Sequence, residues 1–156
     1  MTTTTSFTSV AWPVLRSGSS DPQVRTLQYL LRSRGHAIAA DSAFGPKTLA
    51  AVRAFQSAAQ LAVDGVVGPQ TWGAVIVTVR QSSTGDAVRA VQWQPTVRHE
   101  SPGLQIDGIF GPRTDEYVRS FQELLAMRFP ADGVAVDGIV GPVTWRGFVA
   151  GIAGLD

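Results

Sequence analysis

Cysteine is absent from this 156-residue chain, which removes disulfides, thiol nucleophiles and cysteine-ligated zinc from consideration. Lysine is nearly absent: one Lys stands against twelve Arg, so basic contacts must be almost entirely guanidinium contacts. Histidine occurs twice, at His36 and His99, and glutamate three times, at Glu100, Glu116 and Glu123. Charge of either sign is scarce, at 16% of residues, and thirteen basic against twelve acidic side chains leave a net charge of +1. No global field therefore draws the chain to nucleic acid or an anionic membrane. No apolar run is long enough to span a bilayer. The first ten residues lack a basic region and a continuous apolar stretch, so no standard signal peptide is expected there. What the chain does have is 44% hydrophobic residues, enough for a packed core and too many for a disordered segment.

The chain repeats itself at two scales. Gly-Pro-x-Thr occurs four times, at Gly45–Thr48, Gly68–Thr71, Gly111–Thr114 and Gly141–Thr144. An Asp stands four residues before each Gly, at Asp41, Asp64, Asp107 and Asp137. Ser42 follows the first Asp, and Gly65, Gly108 and Gly138 follow the others. Boxes one and three carry Phe44 and Phe110 before Gly-Pro and lead into Val-Arg-x-Phe-Gln, at Val52–Gln56 and Val118–Gln122. Boxes two and four carry Val67 and Val140 there, and Trp72 and Trp145 directly after the Thr. A matched stretch precedes each pair, at Val24–Gln28 and Val88–Gln92. The division is thus a polar tail over 1–11, a first unit over 12–78 and a second over 79–156. The second unit has two extra residues before its first box and seven before its second, around Phe129 to Val134.

Each unit reads as three short helices, which makes the expected fold all-α: two tandem three-helix domains packed closely. Val24, Leu27, Leu30 and Leu31 share one helical face, as do Leu49, Val52 and Phe55. Trp72, Val75, Ile76 and Val79 form a third stripe. Gly-Pro suits a helix start, because proline at the first helical position lacks only an N–H that would be unpaired anyway. Asp-Gly upstream is turn chemistry, the carboxylate accepting backbone N–H groups. The link near Thr78 to Ser83 is too short for a loose tether, so the units should lean on each other.

This order of motifs resembles the peptidoglycan-binding domain family, three-helix modules found beside bacterial and phage wall hydrolases. The resemblance covers nearly the whole chain as two tandem copies. It implies a shallow groove for the peptide and glycan of peptidoglycan, a location at the cell wall or outside the cell, and a wall hydrolase or assembly protein as a further partner. Four departures stand out. Ser42 replaces a Gly, tolerable where the backbone needs no positive φ. His36 follows Gly35 where the family usually carries an aromatic residue. Asp115 replaces the apolar Leu49 of the first copy. Gln94-Pro95 falls inside the first helix of the second copy, which should stop near Trp93 because interior proline costs about 3 kcal/mol. The second copy is therefore the diverged one.

Neither His belongs to a zinc-binding pattern, the three Glu all lie in the second copy, and the repeated Asp residues are better read as turn formers. No catalytic residues, metal or cofactor are expected. A polar polymer carrying carboxylates and N-acetyl groups calls for amide side chains, an aromatic platform and an Arg fork. The repeated candidates for ligand binding are Arg53, Gln56 and Trp72, with Arg119, Gln122 and Trp145 in the second copy. Each also has a structural reading: Gln tying down a loop, Trp packing in the core, Arg lying on a solvated face. The expected function is non-catalytic peptidoglycan binding by one or both copies. The alternative is a structural protein using the same fold to dock onto a protein, with the residues around Met127, Phe129 and Pro130 as a contact loop.

Overall fold

The computed structural model describes residues 10–100 and 103–150. It is helical, and among the described residues β-pairing is limited to isolated bridges. The helices are α1 (Gln23–Ser33), α2 (Pro46–Ala58), α3 (Pro69–Val75), α4 (Asp86–Gln92), α5 (Gln94–Val97), α6 (Pro112–Arg128) and α7 (Pro142–Val149). A 3-10 turn over Pro130–Asp132 follows α6. The four Gly-Pro boxes start α2, α3, α6 and α7, each with Gly as N-cap and Pro as first helical residue. The apolar stripe of α1 is fully buried, as are Val52, Trp72, Val75, Val118 and Trp145.

Each copy begins with an extended lead that closes over its own boxes. Leu15 pairs with Val67 in the first copy, and Val79 with Val140 in the second. Gly18 N–H donates to the Phe44 carbonyl and Ser82 N–H to the Phe110 carbonyl. The Trp72 indole donates to the Pro13 carbonyl at 2.8 Å, and the Trp145 indole to the Val77 carbonyl at 2.7 Å. Trp12 stacks on Trp72 with ring centroids 5.9 Å apart. Residues 1–9 of the expected tail lie outside the described residues, and the Val10 carbonyl accepts from the Arg146 guanidinium at 3.0 Å.

Two expectations need correcting. The third helix is shorter than its stripe: α3 ends at Val75, Ile76 is extended, and Val79 belongs to the lead of the second copy. The Arg34 guanidinium donates to the carbonyls of Ala74, Val75 and Ile76, closing that helix end with a side chain remote in sequence. Ser42 also departs from expectation, because its backbone does adopt a left-handed φ of 68°, matching 72° to 75° at Gly65, Gly108 and Gly138. As expected, α4 stops at Gln92 with Trp93 as its C-cap, and Pro95 sits in the first turn of α5. The seven added residues lengthen α6 to 17 residues against 13 in α2 and form the 3-10 turn. Phe129 at that junction is buried, whereas Met127 is 79% exposed.

The two copies lean on each other through α1 and α4, the most extensive helix contact in the molecule. At its centre, Gln23, Thr26 and Gln94 are buried and hydrogen-bonded in a ring. Gln94 Nε2 donates to Thr26 Oγ1 at 3.0 Å, and Thr26 Oγ1 donates to Gln23 Oε1 at 2.7 Å. Gln23 Nε2 closes the ring on Gln94 Oε1 at 3.3 Å and also reaches the Phe148 carbonyl at 3.1 Å. Gln94 Nε2 bonds the Ala90 carbonyl at 2.9 Å, where Pro95 has interrupted the helix. An Arg32–Asp86 ion pair at 3.3 Å flanks the contact. Buried polar groups paired this fully fix one orientation, because sliding the helices would leave several of them unpaired.

Candidate functional site

All four boxes are organised by a buried glutamine on the preceding helix: Gln28, Gln56, Gln92 and Gln122. In each, Nε2 donates to the box Asp Oδ1 at 2.9–3.1 Å. The same nitrogen reaches a carbonyl two residues beyond that Asp, on Ala43, Val66, Ile109 or Ile139, at 3.0 Å. It also faces the box Thr Oγ1 at 3.1–3.2 Å. Its Oε1 accepts the backbone N–H of Ser42, Gly65, Gly108 or Gly138 at 2.9–3.0 Å. An amide offers two donors and one carbonyl, so the cage saturates it. Gln56 and Gln122 are therefore turn-building residues with about 1% exposure whose amide groups are engaged in the cage, and Gln122 also lines the cleft beside its box. Gln28 and Gln92 do the same work and were not singled out from the sequence. Their signal was there: a Gln four residues after a core Val in all four helices.

Each Asp also accepts a backbone N–H, from the residue two positions on, at 2.9–3.0 Å. These bonds hold the carboxyls of Asp41, Asp64 and Asp107 below the usual carboxylate range. The backbone donor is the largest cause in each, and the Gln amide adds to it. Turn forming, the role read from the sequence for these Asp residues, is the role their geometry gives them.

Trp72 and Trp145 are fully buried, each indole N–H committed to a lead-segment carbonyl, so neither forms an exposed platform. Arg53 and Arg119 are exposed but lie across their turns. A Cβ on Gly65 would stand 3.2 Å from Arg53 Nε, and one on Gly138 would stand 3.1 Å from Arg119 Nη2. Arg119 also pairs with Asp115 at 3.0 Å and donates to the Asp137 carbonyl at 3.2 Å. That pair explains the polar residue where the first copy has Leu49. The six sequence candidates are thus distributed over the two cages and the two Trp sockets and do not converge on one cleft.

Open clefts lie instead beside the boxes, between the loop entering each turn and the helix leaving it. Their volumes are about 320, 370, 640 and 300 Å³ for boxes one to four. Among the described residues no group of three His, Asp or Glu side chains could hold a metal ion.

The family described as "Putative peptidoglycan binding domain" matches residues 20–75. The first copy belongs to the peptidoglycan-binding domain family. The domain so matched carries the Gln28 and Gln56 cages and the first two clefts. Over 64 residues the chain is 45% identical to a zinc D-Ala-D-Ala carboxypeptidase of Streptomyces albus G, covering 39% of this chain and 25% of that protein. It is 38% identical over 78 residues to an uncharacterized protein in the bpoA1 3′ region of Kitasatospora aureofaciens, covering 49% and 66%. Across 141 residues it is 28% identical to the N-acetylmuramoyl-L-alanine amidase CwlL of Bacillus licheniformis, covering 68% of this chain and 39% of that one. The chain thus spans a quarter to two thirds of the length of these relatives. No helix among the described residues is long and apolar enough to cross a membrane.

Proposed function

We propose that this chain binds bacterial cell-wall peptidoglycan without cutting it, through two tandem copies of the peptidoglycan-binding domain. The observation that carries the reading is the family match over residues 20–75, together with its repetition in the second copy, cage for cage and cleft for cleft. Two relatives are named as wall enzymes, and the chain matches only part of each, consistent with a binding part that accompanies a separate catalytic part. Placement at the wall and cooperation with a hydrolase follow from the same reading. Two copies on one chain suit a repeating polymer, since a second weak site raises avidity by about a hundredfold when spacing matches.

The test is co-sedimentation of the purified chain with insoluble sacculi, followed by assay of the supernatant for released wall fragments. Binding without release is expected. Folded protein that stays in the supernatant would overturn wall binding and leave protein docking as the use of the fold. Soluble fragments would overturn the non-catalytic part. Substitutions at Gln56 or Gln122 report on the turns they hold, so in this test their binding is read only on the folded fraction.

A further inference from the structure

We infer that the ligand site lies in the cleft beside the third box, in the diverged second copy, and that it takes a peptide carrying both a free amine and a free carboxylate. This rests on the wall-binding reading and narrows it. At about 640 Å³ the cleft is roughly twice the size of its three counterparts, within the range that holds a small ligand. Its helix wall differs from that of the first cleft, with Glu116, Tyr117 and Ser120 where α2 has Ala50, Ala51 and Ala54.

The charges differ too. Arg113 and Glu116 both line this cleft, both are exposed, and neither joins an ion pair among the described residues. Asp107 adds a carboxylate at the base, and Gln105 an amide at the entry loop. The Tyr117 ring, stacked on Phe148 at 6.0 Å, supplies an uncharged wall. The second and fourth clefts are lined by Asp without any Lys or Arg. The first has Lys47 and Asp41 among Ile38, Ala39, Ala43 and Pro46. Of the four clefts beside the boxes, only the third combines a guanidinium with a carboxylate beyond the turn Asp among the described residues. A guanidinium fork takes a carboxylate, and the facing carboxylates take an ammonium.

The experiment titrates the full chain by calorimetry with a synthetic wall stem tetrapeptide whose third residue carries a free side-chain amine. The same peptide acetylated on that amine, and the same peptide amidated at its C-terminus, serve as comparisons. Each blocked peptide should bind about tenfold or more weakly, the loss of one charge-assisted contact. Arg113→Ala should abolish the discrimination against amidation, and Glu116→Gln the discrimination against acetylation. Lys47→Ala in the first-box cleft should change nothing, and thermal melts should show all three variants folded. Loss of binding in Lys47→Ala with the other two unaffected would overturn the assignment. Sedimentation with sacculi but no response to any peptide would overturn the ligand class while leaving wall binding intact. Failure to sediment would instead remove the reading on which the inference rests.

Discussion

The Arg25 guanidinium of the first copy lies 4.5 Å from the centre of the Trp93 ring of the second. Trp93 in turn donates its indole N–H to the Pro22 carbonyl at 3.0 Å, so the contact is fastened from both sides. Arg25 occupies the place of Arg53, Arg89 and Arg119, three residues before its Gln. Those three lie against Gly65, Gly108 and Gly138. Where the corresponding turn carries Ser42, its arginine lies against the neighbouring copy instead. A double-mutant cycle on Arg25→Ala and Trp93→Leu, read by thermal or denaturant unfolding, should give a coupling of about 0.5–1 kcal/mol. Additive effects would mean that the stacked geometry contributes nothing to stability.

Ser42 at φ 68° holds a left-handed backbone that its Cβ disfavours. Ser42→Gly should therefore stabilise the protein by about 1 kcal/mol, seen as a higher melting temperature. An unchanged or lower melting temperature would show that this turn bears no such cost.

Gln56→Leu and Gln122→Leu each leave a Thr, a carbonyl, a backbone N–H and an Asp oxygen short of a partner. Each should cost about 2–4 kcal/mol in unfolding free energy, the range for a broken buried network. Far from the melting range, the folded fraction should still sediment with sacculi like the parent. A variant that keeps full stability but no longer binds would return these glutamines to the ligand site.

The lowered carboxyls of Asp41, Asp64 and Asp107 set a direction for acid. A carboxyl whose folded pKa lies below its unfolded value of about 3.9 adds stability that is complete above that value. The contribution fades as pH falls through the folded pKa. Stability should therefore be flat from neutrality to about pH 5 and fall below about pH 4. Asp107→Asn should be somewhat less stable at neutrality, with a shallower acid limb, in melts followed from pH 7 to pH 2. An equally steep limb would put the acid sensitivity elsewhere.

Much of this was legible in the sequence because the boxes use residues with narrow roles. Gly-Pro marks helix starts, Asp-Gly marks turns, and Pro95 stops α4. The site was less legible, for a physical reason. Gln and Arg serve ligands and backbones with the same donors, so Gln56 and Arg53 carry identical chemistry whether they face solvent or a turn. Only burial decides, and burial depends on how the box loop folds over the helix. Likewise, nothing local to Ile76 shows that Arg34, 42 residues away, would take its carbonyl.

The structural seam between the copies does not fall where the repeat pattern divides. Ile76 gives its carbonyl to Arg34, the C-cap of the first copy's α1, while Val77, one residue on, gives its carbonyl to Trp145 of the second. Cutting the gene at residue 79, where the sequence pattern divides, would hand the second fragment a buried indole without its acceptor. Ending the first fragment before residue 76 would strip a carbonyl from Arg34. Both acceptors stay with their donors only if the cut falls between residues 76 and 77, two residues before the point where the repeat pattern divides.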